Sequence, residues 1–121
     1  MIKGTGIDIV EVERIKDNLG NEKFLNKIYS ANEIEYLKYR KFNAQTAAGM
    51  FAAKEAVSKS LGTGFLNFWP CNIEILKNEY GKPYVNLTGN ALIIAQEMNI
   101  ENIQISISHT SEYAIAFCIA E

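Results

Sequence analysis

Asn43-Ala44-Gln45-Thr46-Ala47-Ala48-Gly49-Met50-Phe51-Ala52-Ala53-Lys54-Glu55-Ala56-Val57-Ser58-Lys59-Ser60-Leu61 reads as one helix that is apolar nearly all the way round, with Gly62 placed to end it. A helix on a surface carries one apolar stripe; a helix apolar on every side is buried. The end of the chain offers a partner. In Tyr113–Ala120, strand alternation puts Ala114, Ala116, Cys118 and Ala120 on one face and Tyr113, Ile115, Phe117 and Ile119 on the other. The small face lets a helix approach closely, or could equally serve a contact between subunits. Both faces are apolar, so both are expected to be covered. The expected fold class is α+β, an antiparallel sheet packed against a long buried helix.

The rest of the chain fills in around this pair. Ile2 to Val10 reads as a strand with Ile7 and Ile9 on one face and Gly4, Gly6, Asp8 and Val10 on the other. Arg14 to Lys27 suits short helical pieces. Ser30 with Glu33 three residues on is a capping box ahead of Ile34 and Leu37. Strands are expected over Asn72–Lys77 and Pro83–Leu87, around a turn at Asn78–Lys82. Thr88 is placed to cap a helix from Gly89 to Met98, and Ile103–His109 is placed to pair with the last strand across a tight turn.

At 121 residues the chain has room for one domain, 1–121, with a modest core. Apolar residues at 48% and charged residues at 21% are ordinary for a soluble globular protein. No apolar run reaches the roughly 20 residues of a membrane helix, and the first residues lack the features of a signal peptide. With Cys71 and Cys118 far apart in apolar surroundings, reduced thiols and a cytoplasmic location are expected. A net charge of −2 argues against a broad nucleic-acid surface. Residues 1–60 hold ten Lys or Arg against eight Asp or Glu, and residues 61–121 two against six. That asymmetry fits either solvated helix faces or a basic face for an acidic partner.

The chemistry concentrates where charge meets apolar sequence. Glu55 and Lys59, four apart on the buried helix, share a face with Phe51, and Asp8 sits in Gly-Ile-Asp-Ile-Val beside two glycines. Glycine inside a strand often marks close approach of backbone or ligand. Carboxylates in apolar company need a cation. A surface Glu55–Lys59 pair and an edge Asp8 in water are the plain alternatives. The sharper reading is Mg²⁺ held by Asp8 and Glu55, with Lys59 near a phosphate. One histidine and no close cysteine pair exclude a zinc site. His109 ends a strand beside Ser108 and Thr110, and Lys82 stands on a turn; both positions suit an anionic ligand or a purely structural role.

Gly6-Ile-Asp-Ile-Val-Glu11, Phe51-Ala-Ala-Lys-Glu-Ala-Val-Ser-Lys59, Gly81-Lys82-Pro83 and Ser106-Ile-Ser-His-Thr110, in that order and spacing, resemble the holo-acyl-carrier-protein synthases of the 4'-phosphopantetheinyl transferase superfamily. The resemblance covers essentially the whole chain. It implies that fold, and transfer of phosphopantetheine from coenzyme A to a serine of acyl carrier protein for fatty acid synthesis. It also implies magnesium on Asp8 and Glu55, catalysis by these two with Lys59, and coenzyme A held by Lys54, Gly81, Lys82, Pro83, His109 and Thr110. Arg14 would meet the acidic carrier, in a homotrimer with sites between subunits.

Two departures stand out. Met50 occupies a place where the family often has a phosphate-binding arginine, so Lys41 or Lys54 is expected to substitute. Val10 stands where larger relatives have a third acidic ligand, so a water is expected on the metal there. The rival readings are a hot-dog-type thioesterase, which needs no metal, and a noncatalytic coenzyme A-binding module, which needs no pair of carboxylates.

Overall fold

The computed structural model describes residues 1–121. Its long helix, which we label α4, spans Ala44–Ser60. Asn43 caps its start by accepting from the Thr46 N–H at 3.0 Å, and Gly62 follows its end with φ at +81°. Eleven of its seventeen residues are buried, as a helix apolar all round requires.

Three strands lie against it. β1 (Gly4–Glu11) and β4 (Ile103–His109) both pair antiparallel with β5 (Tyr113–Ala120), giving the order β1-β5-β4. The small face of β5 turns to α4, and Ala114, Ala116, Cys118 and Ala120 are at most 1% exposed. β1 comes closer still. A Cβ built on Gly6 would lie 1.8 Å from the Ala56 carbonyl oxygen, and one on Gly4 2.0 Å from that of Ser60. The strand backbone therefore rests directly on the helix backbone, which only glycine permits.

The other sheet face departs from expectation. Ile7, Ile9, Tyr113, Ile115 and Phe117 are 38–61% exposed, so a single chain leaves this apolar face open. The elements that could have covered it pack elsewhere, on α4 and on the segment from Pro70 to Lys77.

Those remaining elements build a second edge. After β1 come α1 (Val12–Lys16), α2 (Glu22–Ile28) and α3 (Ala31–Tyr39). The expected capping box forms at α3: the Ser30 hydroxyl accepts from the Glu33 N–H at 3.2 Å, and the Ser30 N–H donates to Glu33 Oε1 at 2.9 Å. A single 3₁₀ turn, Pro70–Asn72, leads into β2 (Ile73–Lys77), which pairs with β3 (Pro83–Leu87) as a separate two-stranded sheet. Their turn is set by Asn78, whose side-chain oxygen accepts from the Tyr80 and Lys82 N–H groups, and by Gly81 at φ +79°. α5 (Gly89–Glu97) follows. Its N-cap, Thr88, makes no side-chain cap bond; the hydroxyl is engaged with Asn72 instead. Both cysteines are free thiols, and no helix is long and apolar enough to cross a membrane.

Candidate active site

Seating β1 on α4 decides where Asp8 goes. Gly4, Gly6 and Asp8 alternate onto the same face, so the strand that rests on the helix at the glycines delivers the next carboxylate to the helix as well. There the Asp8 side chain is only 18% exposed, and Lys59 Nζ lies 3.3 Å from its Oδ1. The same ammonium donates to the Ile7 carbonyl at 2.9 Å. Lys59 thus turns to β1 rather than to Glu55 on its own helix, and the simple intrahelical ion pair does not form.

Glu55 joins from one turn earlier. Burial, and then the charge of Asp8, push its carboxyl above the ordinary carboxylate range, while Lys59 and Arg14 pull it back. Arg14 reaches this neighbourhood because α1 follows β1 directly and packs on α4. Asp8, Glu55, Lys59 and Arg14 therefore form one charged cluster, two acids against two bases, at the β1 edge of the sheet.

A second group lies elsewhere. A cleft of about 220 Å³ opens where the start of α4 meets β2 and the end of β4. His109, Gly81, Pro83 and Met50 line it, so three of the residues expected at coenzyme A come together here. Tyr36, Arg40 and Lys77 line it too. Sequence reasoning missed these three: Arg40 and Lys77, cations at element ends, look like solvated surface, and Tyr36 reads as one more residue of a helix. Arg40 lines the same cleft as Met50, where the expected arginine is missing. Lys41 is not part of the lining. Lys82 stays exposed outside the lining, its ammonium 3.3 Å from Gln104 Oε1. The Thr110 hydroxyl closes the β4–β5 turn by accepting from the Glu112 and Tyr113 N–H groups.

Lys54 is a correction. Expected to touch a phosphate, its side chain is 1% exposed and its ammonium is spoken for by Glu33 Oε1 and the carbonyls of Ile73 and Pro70. The direction around the helix is the reason: Lys54 points into the interior between α3 and β2, away from both the carboxylates and the cleft.

Asp8 stands on edge strand β1 and His109 on the opposite edge, β4, with β5 between them. Two interstrand spacings come to roughly 10 Å. The charged cluster and the cleft are therefore two separate surfaces of one chain.

Comparison with known proteins gives the chain a family. A relative described as a holo-[acyl-carrier-protein] synthase from Clostridium botulinum is 53% identical, over 100% of this chain and 98% of its own length. The solved holo-[acyl-carrier-protein] synthase of Neisseria meningitidis superposes with a TM-score of 0.90 at 33% identity, covering 100% of this chain and 99% of that one. The Helicobacter pylori holo-[acyl-carrier-protein] synthase, solved in complex with coenzyme A, gives 0.85 at 32% identity, covering 97% and 99%. The family model of the 4'-phosphopantetheinyl transferase superfamily matches residues 4–118, which takes in β1, α4, the cleft and nearly all of β5. This chain belongs to the 4'-phosphopantetheinyl transferase superfamily.

Proposed function

We propose that residues 1–121 form one transferase domain that moves 4'-phosphopantetheine from coenzyme A to a serine of acyl carrier protein. The other product is adenosine 3',5'-bisphosphate, and the setting is fatty acid biosynthesis in the cytoplasm. The observation that carries this reading is the cluster of Asp8, Glu55 and Lys59. Asp8 holds the Lys59 ammonium, whereas Glu55, half-buried beside Asp8, resists ionisation both through burial and through the neighbouring negative charge. A dication relieves both strains. No group of three or more His, Cys, Asp or Glu gathers anywhere in the chain. That donor set suits magnesium, which takes one or two carboxylates and fills its other places with water and substrate phosphate. When bound by Asp8 and Glu55, magnesium supplies charge neutralisation and alignment of the pyrophosphate.

The chain's own residues do the rest. The carrier serine Oγ attacks the phosphorus bearing the pantetheine arm, in line with the departing group. A new P–O bond forms as the bond to the bridging oxygen breaks, and the electron pair leaves with adenosine 3',5'-bisphosphate. Lys59, half-exposed beside Asp8, steadies the charge that builds on that oxygen. Glu55, acting through a water, is placed to take the serine proton. His109, Gly81 and Pro83 hold the nucleotide, with Lys82 and Thr110 beside them, and Arg40 and Lys77 supply cations for its phosphates. Arg14 lies at the rim where an acidic carrier would enter.

The separation of Asp8 from His109, and the open face of Ile7, Ile9, Tyr113, Ile115 and Phe117, support a homotrimer. In it, one subunit's cleft would meet another's carboxylates.

The test is mass spectrometry of apo-acyl carrier protein incubated with the enzyme, coenzyme A and magnesium. The carrier should gain one phosphopantetheine, and Asp8→Ala and Glu55→Ala should each abolish the gain while the fold persists. An unchanged carrier mass with the native enzyme would overturn the reading. A hot-dog thioesterase would instead release thiol from acyl-coenzyme A without metal.

A further inference from the structure

The walls of the cleft belong to three elements that are not neighbours in sequence: α3 supplies Tyr36, with Arg40 just past its end; β2 supplies Ile75 and Lys77; α4 supplies Gly49 and Met50. Behind these walls lies the buried hub of Glu33 and Lys54, at 0% and 1% exposure. Besides the capping box of α3, its contacts tie these elements to one another and to the 3₁₀ turn ahead of β2. Glu33 on α3 accepts from the Ile75 N–H of β2 at 2.9 Å. Lys54 on α4 donates to Glu33, to the Ile73 carbonyl of β2 and to the Pro70 carbonyl just before it.

The spacing from hub to cleft is one helical turn on each helix. Glu33 precedes Tyr36 by three residues, Lys54 follows Met50 by four, and Ile75 belongs to both hub and lining. The chemistry suits a rigid joint. Three acceptors surround the Lys54 nitrogen, matching the three N–H groups of an ammonium where a neutral amine has two. Glu33 in turn receives Lys54 and the N–H groups of Ser30 and Ile75. No buried side-chain polar atom in the chain lacks a partner. A satisfied charged network of this kind tolerates few alternative geometries, whereas apolar side chains at the same joint would slide.

We infer that the Lys54–Glu33 pair is a positioning element of the nucleotide cleft, fixing α3, β2 and α4 at the separation that coenzyme A requires. This rests on the reading of the cleft as the nucleotide site. Neither residue touches substrate; both act through the walls.

A structural role alone would lower stability and the fraction of active molecules, without changing the affinity of the molecules that remain folded. The experiment therefore measures coenzyme A binding by calorimetry, well below each variant's Tm, beside Tm itself. Lys54→Met should drop Tm by roughly 10 °C or more, since it leaves Glu33 buried without its cation. If that variant fails to fold, the double change Glu33→Gln, Lys54→Met keeps the inference testable. It removes both charges, and glutamine can still complete the capping box. Its Tm should return part of the way to the native value, because the single glutamine oxygen cannot accept from both the Ser30 and the Ile75 N–H groups. Its coenzyme A dissociation constant should nonetheless stay raised by about tenfold or more, as expected of a displaced binding wall. Native affinity in the double variant overturns the inference, as does affinity that recovers in step with Tm. His109→Gln separates this from failure of the underlying reading. If His109→Gln weakens coenzyme A and the double variant does not, only the hub's role is wrong. If neither weakens it, the cleft is not the nucleotide site and both ideas fall.

Discussion

Lys54 and Lys59 stand five residues apart on the same helix, about 140° apart around its axis, and their environments have little in common. Lys54 is sealed among Glu33 and two carbonyls; Lys59 is 51% exposed, on a carboxylate and a strand carbonyl. One motif, Phe51-Ala-Ala-Lys-Glu-Ala-Val-Ser-Lys59, therefore carries a charge that holds the protein together and a charge free to meet a substrate. Residue type does not distinguish them. The direction each takes from the helix does.

The largest way to test that contrast is by stability. Lys54→Met should cost about 3–5 kcal/mol, the range for breaking one side of a buried pair. Lys59→Met should cost less than about 1 kcal/mol, because its pair is half-exposed and screened. Urea unfolding of the two variants under one set of conditions makes the comparison. Equal losses would erase the distinction.

Turnover should give the reverse order. Lys59→Met is expected to lower kcat by about 10²–10³, the usual loss for one preorganised electrostatic contact, with little change in coenzyme A affinity. Stopped-quench assays at saturating coenzyme A and carrier check this. A Lys59→Met enzyme with normal kcat would make Lys59 a mere partner of Asp8.

Arg14 sharpens the boundary of the charged cluster. Arg14→Glu should raise the KM for carrier protein about tenfold at low salt and leave coenzyme A affinity nearly unchanged. The difference should shrink toward 1 M salt, where the Debye length falls to about 3 Å from about 10 Å at 0.1 M. If coenzyme A affinity fell instead, Arg14 would be a phosphate ligand.

The smallest effect concerns Glu55. A carboxyl whose folded pKa is raised contributes stability at low pH that is lost as pH rises through the raised value. Glu55→Gln removes that loss. In EDTA, the variant's Tm should gain slightly on the native protein between acid and neutral pH, and the gain should vanish at low pH. Magnesium should reverse the order above the raised pKa, because the dication stabilises the native carboxylate and finds no charge on the amide that replaces it. A native-to-variant order in Tm that magnesium leaves unchanged would break the link between the raised carboxyl and the metal.

The sequence made some of this legible and hid the rest for physical reasons. Helix α4 and strand β5 were readable because their apolar pattern is continuous and local. The glycines beside Asp8 correctly signalled close approach, since a strand seldom carries two without a neighbour to accommodate. The capping box at Ser30 and Glu33 was legible too. Its second use was not: Glu33 also anchors Lys54 across 21 positions, and no local pattern reports a buried partner that far away. Arg40 and Lys77 escaped notice for the same reason. Each is an ordinary surface cation until the β2–β3 hairpin is folded against α3. The single chain does not supply the coverage expected for the large face of β5, because the pattern shows that a face needs a partner without showing whether the same chain provides it.

Gly4 and Gly6 make part of this protein closed to evolutionary drift. Alanine is the least intrusive of all replacements, and at Gly6 even its methyl carbon would fall 1.8 Å from the Ala56 oxygen, with no flexible side chain there to move aside. Thr5, between them and facing outward, carries no such restriction. A saturation library should therefore return glycine alone at positions 4 and 6 and a broad spectrum at 5. The cost of any larger residue would also be felt at a distance, because lifting β1 from the helix carries Asp8 away from Glu55. Two residues with no functional group of their own thus set the spacing of the two that have one.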